Sequence, residues 1–354
     1  MKKKLLDYIV CPECNKDLKL KILKKDKEVL SGVLNCENNH YFPVIKGIPR
    51  MLNQELQKKI IYPKHKPFFL KYKKHFPKVT KKNLKNTDNK SKTAEIFGYE
   101  WKNFPELHKI YEEQFEEWTS PIKKEFFKDK FILDAGCGTG RHIYYSKKYG
   151  AKEIIGVDLS QAVEVAYENN KDKNVHIVQA DIYNLPFKQN IFDFIYSIGV
   201  LHHLPNPKKG FKNLIQYLKK QGRIAIWVYG QPTALLKYII DPLRKNIISK
   251  LPGPIIKAIA FINTLLVYAI SKFIYKPINN FKNISKYLPM NYTFNYFSKF
   301  NFKILYSMMY DITSPPNQFY LTKKDMDDWF STDKLEKTQI VKHEHSWSCN
   351  AYKS

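Results

Sequence analysis

The sequence predicts an α/β protein: a parallel sheet with helices on both faces, a small cysteine-containing module in front and a helical insertion after the fifth strand. Three observations predict it. The apolar run Phe131-Ile132-Leu133 ends in Asp134 and opens into Gly136-x-Gly138-x-Gly140, and a helical stretch follows. More apolar runs, each closed by a polar or small residue, come after it in order. Near the start, Cys11-x2-Cys14 is followed, after a gap of 21 residues, by Cys36-x3-His40.

A chain of 354 residues with 44% apolar side chains has room for two domains, or for one large domain with additions. Its net charge of +27 directs attention to nucleic acid or an anionic membrane surface. Only Arg50, Arg141, Arg223 and Arg244 are arginines among the 60 basic residues, however. Phosphate recognition through a planar fork favours Arg, so charge alone argues weakly for nucleic acid. The start, Met1-Lys2-Lys3-Lys4-Leu5-Leu6-Asp7, is basic, but Asp7 cuts the apolar run short and the segment does not read as a signal peptide. Five cysteines, three of them near the start, do not make a disulfide framework. The expected address is the reducing cytoplasm, with peripheral membrane contact as an addition considered below.

The two cysteine-containing turns bracket the strand-like pieces 18–23 and 29–34. Zinc takes four N or S ligands in a tetrahedron, and two such turns supply a pair each. Cys11, Cys14, Cys36 and His40 are therefore the expected ligands of a structural zinc that is part of the fold. With Leu5-Leu6, Cys11-Pro12 and the run from Tyr41 to Leu52, residues 5–52 resemble the short zinc-ribbon proteins that serve as activator subunits of methyltransferases. Similar ribbons occur fused to methyltransferase domains, including a family that methylates guanine in ribosomal RNA. The resemblance implies a structural or substrate-presenting role. Residues 53–93 then carry many lysines and only Glu55 and Asp88 as acids, interrupted by Tyr62, Phe68, Phe69, Tyr72 and Phe76. The preferred reading is a solvated linker whose rings dock on the next domain. The other is a phosphate-tracking strip with stacking rings.

Strand, glycine turn and helix open a nucleotide-binding α/β sheet. A dinucleotide fingerprint reads G-x-G-x-x-G, whereas this loop reads G-x-G-x-G behind an acid. A carboxylate so close to a pyrophosphate would oppose it, while a ligand with an ammonium and a sulfonium tolerates it. The buried run from Ile154 to Val157 ends in Asp158, placed to accept both ribose hydroxyls. The next run, from Val175, ends in Asp181, within reach of an adenine amino group. Asn190 to Leu204 and Arg223 to Tyr229 continue the series.

With these motifs in order, residues 131–229 resemble the class I S-adenosylmethionine-dependent methyltransferases, a Rossmann-like fold, and especially the type 11, small-molecule branch. The resemblance implies that Asp134 and the glycines Gly136, Gly138 and Gly140 face the methionine part, and that Asp158 holds the ribose. It places Leu159 against adenine, Asp181 and Ile182 at the adenine edge, and Ser197, with Ile198, beside the methionine moiety. The donor methyl is already activated, so positioning lowers most of the barrier, with effective molarities on the order of 10⁵ M. A base is needed only if the acceptor loses a proton. His202 is the candidate, with His203 beside it, and a positioning role is an equal reading.

The closing elements are delayed. Leu321 to Phe330 reads as a helix capped by Thr322, and 337–346 and 347–352 as the last strands. The expected division is a zinc ribbon at 1–52, a Lys-rich linker at 53–93 and a methyltransferase core with an N-terminal lid at 94–230. An insertion at 231–320 and the final core elements at 321–354 complete it. In the insertion, Ile255, Ile259, Ile262, Leu266, Ile270 and Phe273 share one helical face, and Lys257, Thr264, Tyr268, Ser271 and Lys272 the other. Its uncharged run of 14 residues is short for a bilayer. The insertion reads as a cap over the substrate pocket, or as an interfacial helix on a membrane, with contact through 231–275.

The leading expectation is methyl transfer to a small-molecule or lipid-linked acceptor. RNA methylation aided by the ribbon and the basic strip is the alternative, and a non-enzymatic scaffold the third. No obligate protein partner is evident.

Overall fold

A computed structural model describes residues 1–76, 89–105, 110–234 and 236–354. They form two compact units, Met1–Pro232 with Asn317–Ser354, and Thr233–Pro316.

The larger unit is built on one eleven-stranded sheet. Its strands are β1 (Lys19–Lys25), β2 (Val29–Asn35), β3 (Tyr41–Ile45), β4 (Ile48–Met51), β5 (Phe131–Ala135) and β6 (Glu153–Asp158). They continue with β7 (Val175–Ala180), β8 (Phe192–Ile198), β9 (Leu218–Tyr229), β10 (Leu335–Lys342) and β11 (Ser346–Lys353). The order is β1-β2-β3-β4-β7-β6-β5-β8-β9-β11-β10. The helices that matter to the site are α1 (Asn89–Asn103), α2 (Ile110–Thr119), α3 (Arg141–Lys148), α4 (Ala162–Asn169) and α5 (Pro207–Ile215). Strands β5 to β9 pair in parallel. Every residue of β7 and all but the last of β6 are buried, as strands covered on both faces require. From β5 the chain steps to β6 and β7 on one side, then returns to β8 and β9 on the other. That reversal opens the crevice at the carboxyl ends where such sheets bind ligands.

The cysteine-containing module is part of this sheet. Parallel pairing of Arg50 with Gln179 and Met51 with Ala180 joins β4 to β7. Leu5, Ile9, Leu34 and Phe42 share one apolar cluster with Leu133, Ile155 and Val178. Side chains of this size each contribute about 1.5–3 kcal/mol when fully buried. The module therefore shares its core with the sheet.

Helical turns occupy residues 54–64 and 66–71, inside the stretch expected as a linker. Phe69 lies 5.1 Å from both Tyr62 and Phe76 and 5.6 Å from Phe68, so the rings pack on one another. Lys64, Lys66, Lys71, Lys73 and Lys74 stay exposed. The rest of the basic strip, 77–88, lies outside the described residues.

At the C-terminal end, Thr322 caps the helix Lys323–Phe330 as expected, in a capping box with Asp325. The closing strands β10 and β11 run antiparallel, with β11 seated on β9.

The smaller unit is built from helices. Its longest, α6 (Gly253–Ala269), runs on through a wider turn at Ile270–Tyr275 into Lys276–Ile278. It packs against α7 (Phe302–Thr313). The resulting 26-residue helix is long and apolar enough to cross a bilayer by length and composition, beyond what its uncharged run suggests. Its two faces form at the expected positions, but their environments are reversed for a soluble amphipathic helix. Ile255, Ile262, Leu266 and Phe273 are exposed, whereas Thr264 and Ser271 are fully buried.

Candidate active site and metal cluster

The parallel strands carry the expected cofactor residues to one edge of the sheet. Asp134 and the three glycines lie at the end of β5, Asp158 and Leu159 at the end of β6, Asp181 and Ile182 after β7, and Ser197 near the end of β8.

The loop after β5 needs its glycines. Gly136 has φ +94°, and a Cβ there would stand 2.3 Å from a Val200 methyl. Gly140, at φ +76°, caps α3, and a Cβ there would meet the Asn170 amide at 2.3 Å. That amide donates to the Gly140 and Ala166 carbonyls, at 3.1 and 3.0 Å.

Asp158 links the two loops. One carboxylate oxygen accepts the Gly138 N–H at 3.0 Å and the other the Ser160 N–H at 2.8 Å. Lone pairs remain on both oxygens for a diol. Asp134 differs: it is fully buried and neither oxygen has a well-formed hydrogen bond. Burial pushes its carboxyl well above the ordinary carboxylate range, opposed by the neighbouring Tyr196 hydroxyl. An acid in that setting is poised to ionise when a cation arrives. Together with a loop that leaves no room for side chains, it fits a ligand carrying an ammonium and a sulfonium.

Lys90 reaches Asp181 from α1 at 2.7 Å, and Asp181 also accepts the Tyr183 N–H at 3.0 Å. Ile182 is buried, and its carbonyl accepts from Asn213 at 2.6 Å. The Ser197 hydroxyl donates to the Ala135 carbonyl at 2.8 Å, which ties β8 to β5 at the crevice. The helix α1, which includes the start of the expected N-terminal lid, lies over the glycine loop: a Cβ on Gly138 would be 3.3 Å from the Trp101 indole nitrogen. Its Phe97 ring is 5.1 Å from His203.

His202 is fully buried and stacks on Tyr229 at 4.0 Å. Its Nδ1 accepts the Tyr229 N–H at 3.4 Å, and its Nε2 is buried without a partner. Burial, with His203 beside it, holds its pKa well below the usual imidazole value. The His203 ring Nδ1 lies 3.0 Å from the Asn317 carbonyl.

Sequence reasoning did not identify the support behind Asp158. Gln179, fully buried on β7, donates to the Leu159 and Ser160 carbonyls at 2.9 and 3.1 Å. Arg50 on β4 is fully buried and donates to Gln179 at 2.7 Å and Glu164 at 2.9 Å. Two hydrogen-bonded steps thus connect the cysteine-containing module to the loop that would hold adenosine. One signal was available: an arginine among so many lysines marks a place that uses the planar fork.

Cys11, Cys14, Cys36 and His40 converge with their ligand atoms within 4.8 Å of one another. His40 Nδ1 lies 3.4 Å from Cys11 Sγ and 3.5 Å from Cys36 Sγ, and the Cys14 and Cys36 sulfurs are 3.6 Å apart. A tetrahedron with bonds of about 2.3 Å to sulfur and about 2.0–2.1 Å to nitrogen has edges of roughly 3.5–3.8 Å. The cluster fits such an ion. Asn15 and Asn39 form the two tight turns in the left-handed conformation, both at φ 58°. Glu13 lies 4.0 Å from His40 Nε2, where it can orient the ring.

A family model described as a methyltransferase domain matches residues 133–226. A tRNA U34 carboxymethyltransferase of Psychromonas ingrahamii is 34% identical over 104 residues, 28% of this chain and 31% of that protein. One from Helicobacter pylori (strain Shi470) is 30% identical over 122 residues, 31% of this chain and 47% of that protein. The chain thus spans about a third to a half of the length of these curated relatives. A solved S-adenosylmethionine dependent methyltransferase of Mesorhizobium loti is 27% identical, with 29% of this chain and 48% of that one covered and a TM-score of 0.28. The curated relatives are named for transfer to tRNA. That overturns the expectation of a small-molecule or lipid-linked acceptor, and with it the ranking of RNA as the lesser partner. Residues 133–226 thus carry a methyltransferase domain, with the motif order that resembles the class I S-adenosylmethionine-dependent enzymes, behind an N-terminal Cys3His metal-type cluster.

Proposed function

We propose that this chain transfers a methyl or carboxymethyl group from an S-adenosylmethionine-type donor to RNA, with transfer RNA as the acceptor class. Likeness to the tRNA U34 carboxymethyltransferases carries the reading. The net charge of +27 and the exposed lysines at 64–74 suit a polyphosphate acceptor.

When bound, the donor supplies a carbon already activated by its sulfonium. The protein's part is to hold and orient. Asp158 accepts the ribose hydroxyls while its amide contacts fix the glycine loop. Asp134 provides negative charge opposite the donor's cationic groups. Leu159 and Ile182 flank the adenine, with Asp181 at its edge, and Ser197 keeps β8 against β5 beside the methionine part. The proposed role of His202 is positioning, because its buried ring stacks on Tyr229 and accepts the Tyr229 N–H, and burial disfavours the imidazolium that a base would become. In the Cys3His cluster we propose a structural zinc, which keeps β4 in register with β7.

The test is to incubate the full chain with donor and total RNA, digest the RNA and weigh the nucleosides. The expected result is a nucleoside heavier by a methyl or carboxymethyl group, absent with Asp158→Ala. Unmodified RNA, from a protein that binds the donor, would overturn the reading.

A further inference from the structure

Among the described residues, sixteen of the twenty large apolar side chains that stand exposed lie between Thr233 and Pro316. On α6 and its extension they share one face: Ile255, Phe261, Ile262, Leu265, Leu266 and Phe273 are 43–76% exposed. From Ile255 to Phe273 that face is about 27 Å long at 1.5 Å per residue. The opposite face is the buried one, and it mixes Ile256 and Tyr275 with small and hydroxylated residues. Ala260, Thr264 and Ser271 are fully buried, with the Thr264 hydroxyl donating to the Ala260 carbonyl at 2.6 Å. A helix that buries hydroxyl groups and turns most of its large apolar side chains outward follows the logic of a lipid environment.

Charge distinguishes the possible occupants. Residues 233–316 contain eleven lysines and arginines, and their acids are Asp241 and Asp311 alone. A second copy would bring the same positive charge to the contact, and RNA bases, which stack on rings, offer little to a face made mostly of Ile and Leu. An anionic lipid surface satisfies both, taking apolar side chains into its acyl boundary and pairing its headgroups with lysines. Exposed Tyr238, Tyr287 and Tyr292 suit the headgroup level.

We propose that the Thr233–Pro316 unit docks on an anionic bilayer, with the helix from Gly253 to Ile278 lying in the plane of the interface. Lying flat rather than spanning follows from Lys257 and Lys272, which leave 14 uncharged residues between them, about 21 Å against a core of about 30 Å. The partner α7 has 12 residues, also short of that thickness. The proposal concerns where the protein resides and stands apart from its acceptor.

The test is flotation of the full chain with phosphatidylcholine vesicles and with vesicles that also contain phosphatidylglycerol. The protein is expected to float with the anionic vesicles alone. Leu265→Glu/Leu266→Glu should cut the floated fraction about tenfold while donor binding is kept. Lys257→Glu/Lys276→Glu, which leaves the apolar face intact, should weaken flotation most at low salt. Wild-type protein that stays unfloated, or flotation indifferent to both variants, would overturn the proposal. So would a vesicle-free dimer that Leu265→Glu/Leu266→Glu dissociates, because a second copy would then cover the face.

Discussion

In the larger unit Ile155, Val178 and Ile224 are fully buried, and Arg50 and Gln179 beside them hydrogen-bond to each other. In the smaller unit Leu266 and Phe273 stand 59% and 76% exposed, while Thr264 and Ser271 occupy the inside. The contrast teaches that hydrophobic pattern and burial are separate facts. Both units show amphipathic periodicity; on the long helix of the smaller one most of the large apolar side chains face outward. The larger unit should therefore respond to substitutions as a soluble enzyme core does, and the smaller one as a surface.

The largest expected effect is on the seam between ribbon and core. Chelation of the proposed zinc, or Cys36→Ser, should release stoichiometric metal and lower Tm by on the order of 10 °C, because the ribbon shares its apolar cluster with the sheet. Metal analysis with calorimetry reads both. Equal Tm before and after chelation would mean that the module folds without metal.

Next comes Asp158→Ala, which removes the acceptor of two backbone amides as well as the proposed ribose contact. Donor affinity measured by titration calorimetry should fall about 100-fold, the loss of two charge-assisted hydrogen bonds.

Asp134→Asn should separate stability from binding. Burial raises the Asp134 carboxyl above its unfolded value. Its contribution to stability is thus fully present only below the unfolded pKa and is lost as pH rises through the folded one. At neutral pH the amide should raise Tm by a few degrees, at about 2–4 °C per kcal/mol, while donor affinity falls about tenfold or more. In the wild type, donor affinity should increase with pH across the same window, because binding favours the ionised acid. A pH-independent affinity would remove Asp134 from the site.

The smallest effect belongs to the other unit. Leu266→Gln, on the exposed face, should change stability by less than about 0.5 kcal/mol. A large drop in Tm would show that this face is covered in solution.

Much of the larger unit was legible because its signals are local. The Asp134 to Gly140 loop, the acids at the ends of β6 and β7, the Cys and His spacing and the Thr322 cap are each written within a few residues. The Arg50–Gln179–Leu159 connection was not, since it joins β4 to β7 across 129 residues of sequence, and no local pattern announces such a pair. The aromatic residues at 62–76 were legible as a cluster, but whether rings face outward or one another depends on tertiary packing. For α6 the period was readable, but the side facing solvent was not, because periodicity fixes two faces without saying which is buried. The acceptor lay furthest out of reach: strand ends position the donor, and nothing in them names what receives the group.

The most direct test of the central claim is to supply the full chain with donor labelled on its transferable carbon in a total cell extract, then separate RNA, lipid and small molecules. The account predicts label in RNA, lost with Asp158→Ala. Label confined to the lipid or small-molecule fraction, with RNA blank, would contradict it.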